Sequence, residues 1–212
     1  MSQQTRQTFD RLYGDAAAPE NLPWNHSTPS EFLEQVVAER PAGGRALDLG
    51  CGSGVDSVFL AQQGWQVTCL DFMRQAVEMT VNRATAAGVT VDAQVADITT
   101  WRGSGTFALI VDAGCLHALE MGDRAAYRRK LLEWLAIGGH YVLRHFERRP
   151  LYTWRSMGPK RVSRRRIKKL FAPELVERDF HRDVLTSVRQ PNGPRYTHTT
   201  YWFEDKRGGA AT

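Results

Sequence analysis

Residues 45–54 read Arg-Ala-Leu-Asp-Leu-Gly-Cys-Gly-Ser-Gly, and this stretch decides the fold. A short apolar strand containing Asp48 runs into a glycine-rich turn, and apolar residues at helical spacing follow from Val55. Glycines allow a tight turn and let a flat, polar ligand approach bare main chain. Asp71 ends the next predicted strand, where a carboxylate can accept hydrogen bonds from the two hydroxyls of a ribose. The sequence therefore predicts a site for a nucleoside-containing cofactor.

The turn differs from the dinucleotide fingerprint G-x-G-x-x-G. Val55 stands in the place of the third glycine, and Asp48, just before the turn, would repel a pyrophosphate. A cofactor with an amino group and a positively charged sulfur suits an acidic turn better. The run Leu47-Asp-Leu-Gly-Cys-Gly-Ser-Gly54 resembles motif I of the class I S-adenosylmethionine (SAM)-dependent methyltransferases. The resemblance implies SAM as methyl donor, although a glycine turn by itself can also be a plain structural loop.

Later segments continue the resemblance in the family's order. Val95-Ala-Asp97 resembles the end of the third strand, 107–112 the fourth strand, and Gly138-Gly-His-Tyr-Val-Leu143 the turn and fifth strand, with Ile137 where proline is usual. More narrowly, the chain resembles small-molecule methyltransferases of the thiopurine and tellurite-resistance type. The segments that carry this narrower resemblance are Pro23-Trp24-Asn25, 111–117, 123–127 and 158–163.

The resemblance also implies roles for individual residues. Asp71 is expected to bind the ribose hydroxyls, Asp97 and Ile98 to border the adenine, and Asp48 to orient the turn or the cofactor's amino group. Each acid could instead be an ordinary loop carboxylate, and Trp24 could simply fasten the N-terminal arm to the core. The full set of expected cofactor residues is Trp24, Asp48, Gly50, Cys51, Gly52, Asp71, Phe72, Asp97, Ile98 and Asp112.

The acceptor side carries weaker signals. His117 follows the fourth strand on the rim that faces the methyl group, so we expect it to act as a base or substrate contact; a helix-start histidine bonded to backbone is the alternative. Methyl transfer to a good nucleophile needs no acid/base pair. The histidines are scattered along the chain, so no metal site is expected. The expected acceptor-side residues are Tyr13, His117, His145, Tyr152, Trp154 and Arg155.

The remaining pattern predicts an α/β fold: a Rossmann-like, seven-stranded, mostly parallel sheet with an antiparallel C-terminal hairpin and helices on both faces. We expect one domain over residues 1–212, with an N-terminal arm or lid and helix (1–43), a SAM-binding core (44–147), a substrate-side insert (148–163), and a C-terminal helix and hairpin (164–206). Predicted strands lie near 45–49, 66–70, 90–96, 107–112, 139–146, 174–182 and 196–204, and predicted helices near 29–40, 55–63, 73–87, 122–135 and 164–171.

The composition of the sequence bears on its expected cellular location and binding partners. The sequence has no run of about eighteen apolar residues and no secretory signal pattern. Its three cysteines lack metal-binding spacing, so a cytoplasmic protein is expected, without a disulfide framework. Residues 160–169 hold seven basic residues and no acid. That run could bind nucleic acid, but it lacks stacking aromatics and reads equally as a solvated helix face.

We therefore consider three possible functions, in order of preference. The first is a SAM-dependent methyltransferase that acts on a small molecule. The second acts on RNA or protein through the basic C-terminal third, although no Asn/Asp-Pro-Pro-Tyr motif follows the fourth strand. The third is a SAM-binding module without catalysis, or a nicotinamide-binding oxidoreductase. The sequence does not indicate an oligomeric state.

Overall fold

A computed structural model describes residues 3–15, 22, 28–29, 31–40, 44–147, 162–186 and 195–208. Strands and helices alternate through the first two thirds of the chain, and a helix and two long strands follow. The strands are β1 (Arg45–Leu49), β2 (Gln66–Asp71), β3 (Asp92–Val95), β4 (Phe107–Asp112), β5 (Leu135–Phe146), β6 (Leu175–Thr186) and β7 (Arg195–Asp205). The helices are α1 (Gln3–Gly14), α2 (Glu31–Glu39), α3 (Val55–Gln62), α4 (Arg74–Ala86), α5 (Cys115–Ala118), α6 (Arg124–Trp134) and α7 (Arg164–Phe171).

All seven strands form one sheet in the order β3-β2-β1-β4-β5-β7-β6. The first five strands are parallel, and β7 pairs antiparallel with both β5 and β6. The strand order reverses between β1 and β4, and such a switch point is where open α/β sheets bind ligands. The predicted fold class is confirmed. Within the predicted C-terminal hairpin, β7 lies between β5 and β6, and β6 forms the edge of the sheet.

Two packed layers cover the sheet. One face packs against α6 and α7 through a cluster that includes Leu131, Tyr141, Ile167 and Phe171. The other face packs against α2 and α3 through a cluster that includes Leu33, Leu60, Val142 and Trp202. Burial of this apolar surface is the main force that holds the parallel strands in register. The helix and strand lengths thereby bring the carboxyl ends of β1 to β5 to one edge of the molecule.

The element bounds differ from the sequence prediction in three places. Residues 3–14 form α1, whereas only an arm was predicted there. β3 is limited to Asp92–Val95, and β5 begins at Leu135 rather than near residue 139. Gly138, expected in the turn before the fifth strand, lies within β5 with a φ of 69°, at a register shift in the β4–β5 pairing. A local irregularity in strand pairing cannot be predicted from the spacing of apolar residues alone.

Candidate active site

The glycine turn after β1 is fixed by its neighbours. Gly50, Gly52 and Gly54 all have positive φ angles, of 75°, 56° and 79°. The N–H groups of Gly50 and Cys51 both donate to the carbonyl of Leu70, at 2.7 and 3.0 Å. A Cβ at Gly50 would lie 2.6 Å from the Sγ of Cys115, and this contact excludes any larger residue there. The turn therefore presents bare main chain at the switch point.

Two side chains of helix α4 form hydrogen bonds to carbonyl groups of the same turn. The Thr80 hydroxyl donates to the carbonyl of Gly52 at 3.2 Å, and Nε of Arg83 donates to the carbonyl of Ser53 at 2.7 Å. A Cβ at Gly54 would lie 2.8 Å from the Cα of Thr80. These contacts make the turn a rigid part of the scaffold, because its carbonyls are held by side chains that are themselves anchored on a helix.

Asp71, at the end of β2, closes the turn on its other side. The backbone N–H of Gly52 donates to its Oδ2 at 3.1 Å, and that of Met73 donates to its Oδ1 at 2.9 Å. The residue is only 6% exposed. Burial raises the pKa of Asp71 to about 6, although both backbone hydrogen bonds act in the opposite direction. Each carboxylate oxygen is thus oriented and keeps a lone pair for a further hydroxyl donor.

Asp48 is turned inward rather than toward the rim. The hydroxyl of Ser57 donates to its Oδ2 at 2.6 Å, which ties β1 to the first turn of α3. Burial raises the pKa of Asp48 to about 8, and the carboxylate of Asp56 adds to the rise. Asp56 is itself buried, and none of the described residues bonds its Oδ1. Together with Asp71 and Asp112, these side chains form a buried acidic group that favours a positively charged ligand nearby.

The side of the rim beyond β3 contains Asp97, Ile98 and Phe72. Asp97 accepts hydrogen bonds from the N–H and the hydroxyl of Thr99, at 2.9 and 2.7 Å. Partial burial alone would raise the pKa of Asp97, but the Thr99 hydrogen bonds outweigh it and hold the pKa below its ordinary value. Ile98 is buried in the adjoining core. The half-exposed acid and the apolar side chain suit the polar edge and the flat face of an adenine.

Helix α1 covers this part of the rim. Phe9 packs edge-on against Phe72 at 5.4 Å between ring centroids, and the guanidinium of Arg6 lies 5.3 Å above the Phe72 ring. Tyr13 is buried in the same cluster, beside Met73. Tyr13 was expected on the acceptor side; the structure places it next to Phe72 and the start of α4.

Asp112, at the end of β4, is fully buried and bonded to the chain itself. Its Oδ1 accepts from the N–H groups of Gly114 and Cys115, and its Oδ2 accepts from the N–H of Leu116 at 3.1 Å. The hydroxyl of Tyr127 donates to the same Oδ2 at 2.5 Å and lies 3.0 Å from the hydroxyl of Tyr141. The carboxylate therefore holds α5 and α6 against the end of β4.

The structure brings the two predicted histidines together beyond β4 and β5. The rings of His117 on α5 and His145 on β5 are 5.6 Å apart between centroids, and Phe146 lies 4.9 Å from His117 and 4.1 Å from His198. Burial lowers the pKa of His117 well below its ordinary value and that of His145 to about 4. Both imidazoles are therefore neutral near pH 7. His117 remains partly exposed, whereas His145 is almost fully buried and contacts the carbonyl of Phe146 through Nδ1 at 2.7 Å.

Some predicted residues lie outside the described ranges, namely Trp24, Tyr152, Trp154 and Arg155. Cys51, which lies in the turn, is buried, and a hydrogen bond with Cys69 together with burial raises the pKa of its thiol. Sequence reasoning did not single out Ser57, which bonds Asp48, or Arg124, which is buried at the start of α6. Ser57 could have been found as the polar residue that follows a buried strand-end acid into its helix, whereas the burial of Arg124 has no local signal.

Within the described ranges, no three or more histidine, cysteine or acidic side chains converge into a group that could hold a metal ion. A search of the same residues for a helix long and apolar enough to cross a bilayer also finds none.

Residues 46–139 match the family model described as a methyltransferase domain. Over 154 residues the chain is 27% identical to the 2-heptyl-1-hydroxyquinolin-4(1H)-one methyltransferase of Mycobacteroides abscessus, and this match covers 70% of the chain and 67% of that protein. The chain spans only 53% and 54% of the lengths of two further curated relatives.

Two solved structures share the whole architecture. The N-methyltransferase NodS from Bradyrhizobium japonicum WM9, in complex with S-adenosyl-L-homocysteine (SAH), gives a TM-score of 0.74 at 20% identity over 95% of this chain and 98% of that one. TehB from Haemophilus influenzae gives a TM-score of 0.73 at 14% identity over 86% of this chain and 64% of that one.

Residues 46–139 are thus similar to a methyltransferase domain, and the sheet has the fold of the two solved structures. Over 70% of its length the chain is also similar to a small-molecule methyltransferase.

Proposed function

We propose that this protein transfers the methyl group of SAM to an oxygen, nitrogen or sulfur atom of a small-molecule acceptor by direct displacement. One observation carries the proposal: an oriented, buried carboxylate at Asp71 and a neutral, partly exposed imidazole at His117 lie on the same rim of the sheet, on opposite sides of the glycine turn. The relative from Mycobacteroides abscessus, whose name specifies a quinolinone acceptor, supports a small molecule.

In this proposal the donor lies across the carboxyl ends of β1, β2 and β3. Asp71 accepts the ribose hydroxyls with the lone pairs that Gly52 and Met73 leave free. Phe72, Asp97 and Ile98 border the adenine, and the main chain of residues 50–52 faces the methionine part. The group of buried acids favours a cationic ligand, so the residues present fit SAM. Trp24, outside the described residues, is proposed as a cover.

SAM supplies a methyl group already activated by the positive sulfur. The chain's own task is to align the acceptor with that group, and such alignment contributes on the order of 7–11 kcal/mol to lowering a barrier. Asp48, bonded to Ser57, and Asp112, bonded to α5, act by holding the turn and His117 in position. Where the acceptor atom begins protonated, the neutral His117 accepts its proton, a step that contributes about 10²–10⁴-fold.

The acceptor side is proposed to contain His117 and His145, with Tyr152, Trp154 and Arg155 of the insert outside the described residues. Acceptors of a different class, RNA or protein, would have to use the basic helix α7. There, Arg164 and Lys168 both pair with Glu177, which reduces the charge that α7 offers to a polyanion. The small-molecule function is therefore preferred. Salt-sensitive RNA binding that is lost when Arg164, Arg165 and Arg166 become alanine would support the alternative.

The test has two stages. Isothermal titration calorimetry with SAH, SAM and NADH should show binding of the first two and none of NADH. A coupled assay that detects SAH release is then run over a panel of hydroxy-, amino- and thiol-bearing aromatic compounds. Tight NADH binding without SAM or SAH binding would contradict SAM as the methyl donor. A protein that binds SAH but methylates no small acceptor would contradict the proposed class of acceptor.

The role of His117 is tested by His117→Gln, with His181→Gln on the exposed surface of β6 as the matched control. For an acceptor that begins protonated, we expect His117→Gln to lower kcat by about 10²–10⁴-fold, because the amide cannot accept a proton. SAH affinity should be unchanged in both variants. Unchanged kcat in His117→Gln would rule out its role as the base.

A further inference from the structure

Arg124, the first residue of α6, has a buried and incompletely bonded guanidinium. The residue is 8% exposed, and neither its Nε nor its Nη2 has a hydrogen-bond partner among the residues that the structure describes. Arginine is almost never buried without a partner, because removing the charge from water is unfavourable unless its N–H groups are bonded. A guanidinium stays protonated in a protein, so burial cannot be relieved by loss of the proton. The unbonded N–H groups of these two nitrogens therefore require an explanation.

The position of Arg124 follows from Tyr127. The two residues are three positions apart on α6 and so share one face of the helix. Tyr127 donates to Asp112 at the carboxyl end of β4, and Arg124 precedes Tyr127 by one turn. Since α6 begins after the rim and runs back along the sheet, Arg124 lies at the rim side of that contact. The N-terminal end of a helix carries partial positive charge, which adds to the charge of Arg124.

The neighbours of Arg124 are the acceptor-side histidines. Its positive charge is close enough to contribute to the lowered pKa values of both His117 and His145. Nδ1 of His117 and Nε2 of His145 are buried and likewise have no hydrogen-bond partner within the described parts of the chain. The other charged groups that act on Arg124 are Arg166 of α7 and Glu120. Leaving a buried polar group unpaired is unfavourable, so a cluster of such groups indicates a place for a polar ligand.

We propose that Arg124 binds an anionic oxygen of the methyl acceptor, which makes the acceptors of this enzyme small organic acids, with a carboxylate or an equivalent oxyanion near the atom that is methylated. This inference rests on the proposed function and deepens it. A planar guanidinium that offers two free N–H donors matches a carboxylate in geometry as well as in charge. Arg124 is a specificity-determining residue in this proposal: it holds the acid so that its nucleophilic atom lies near His117.

The experiment measures discrimination between an acid and its neutral amide in the SAH-saturated protein. The probes are matched pairs of benzoate and benzamide, 2-hydroxybenzoate and 2-hydroxybenzamide, and quinoline-4-carboxylate and its carboxamide, titrated by calorimetry. The variants are Arg124→Met and Arg124→Lys, with Arg129→Met on the exposed face of the same helix as the matched control. SAH affinity, measured first in every variant, reports that the site is folded.

We expect at least one acid to bind the wild type and Arg129→Met tenfold or more tightly than its amide. Arg124→Met should lose that preference, and Arg124→Lys should retain part of it through its remaining positive charge. We also expect the free Arg124→Met protein to have a higher Tm than the wild type, since the substitution removes an unpaired buried charge while keeping most of the apolar stem.

Two results would overturn the inference while leaving the proposed function intact. In one, the wild type binds SAH but prefers no acid of the panel over its amide. In the other, the preference persists in Arg124→Met. Failure of the proposed function gives a different result, because SAH itself would then not bind.

Discussion

Replacing Asp71 by asparagine removes one charge and one acceptor from the middle of the proposed donor site. Asp71 accepts from Gly52 through one oxygen and from Met73 through the other, and an amide nitrogen cannot accept either bond. The variant also loses the charge that would receive the ribose hydroxyls. A hydrogen bond to a charged group contributes about 1.5–3 kcal/mol. Because about 1.4 kcal/mol corresponds to a factor of ten, loss of one such bond weakens SAH binding by about ten- to a hundredfold.

The pKa of Asp71 gives the same substitution a pH signature. Burial raises this pKa from 3.8 to about 6, so between those values the folded state holds a proton that the unfolded state has released. Stability from this group is fully present below the unfolded pKa and is lost as pH rises through the folded pKa. The loss amounts to about 3 kcal/mol, at 1.36 kcal/mol per pKa unit. Because asparagine does not titrate, the free energy of unfolding of the variant should not show this decrease with rising pH. SAH affinity of the wild type should rise with pH and level off above about 6.

Two measurements check the reasoning. Calorimetry with SAH from pH 5 to pH 8 gives the affinity, and urea unfolding over pH 4 to pH 7 gives the free energy of unfolding. Glu78→Gln, which removes an exposed acid on α4, serves as the control and should match the wild type in both. If Asp71→Asn binds SAH as tightly as the wild type, the ribose role is wrong. If the difference in unfolding free energy between the two proteins stays constant with pH, the raised pKa is wrong.

Two further substitutions test the scaffold of the site. Gly54→Ala should destabilise the protein by more than about 2 kcal/mol in urea unfolding, since its φ of 79° disfavours a side chain and the new Cβ would meet the main chain of Thr80. Gly88→Ala, at a φ of 68° in open space, should lose only about 1–2 kcal/mol, and equal losses would argue against the contact. Tyr127→Phe should lower the free energy of unfolding by about 1–3 kcal/mol, because Asp112 loses a buried donor. An unchanged value would mean that Asp112 does not need the hydroxyl.

The conformation of the glycine turn was largely predictable from the sequence, because its signals are local. Only glycine readily adopts the positive φ values of the turn at 50, 52 and 54, and an acid at the end of an apolar strand is visible without any tertiary information. Helix α1 was missed for the opposite reason. Its residues are mostly polar, and it is held by the packing of Phe9 and Tyr13 against Phe72 and Met73, which no local pattern reveals.

Asp112 shows why a strand-end acid is ambiguous in sequence. Asp71 and Asp112 both follow five apolar or neutral residues and both end a predicted strand. In the structure, Asp71 accepts two backbone hydrogen bonds and keeps two lone pairs at the rim, whereas Asp112 is fully enclosed and accepts from three backbone N–H groups and a tyrosine. The difference lies in what the following helix and Tyr127 supply. Only the folded chain distinguishes a ligand-facing carboxylate from a helix anchor.

A second buried charge, that of Arg124 on the acceptor side, differs from Asp112 in its hydrogen bonding. A carboxylate as deeply buried as Asp112 is fully satisfied by the chain, yet the guanidinium of Arg124, one helical turn before Tyr127, is buried with two nitrogens that have no hydrogen-bond partner among the described residues. Because the chain provides four hydrogen bonds to the buried carboxylate of Asp112, it could also provide partners to the buried guanidinium of Arg124. The free donors of Arg124 are therefore better explained by a ligand than by poor packing, and the size of the Tm rise in Arg124→Met would measure how much stability the empty site sacrifices for that ligand.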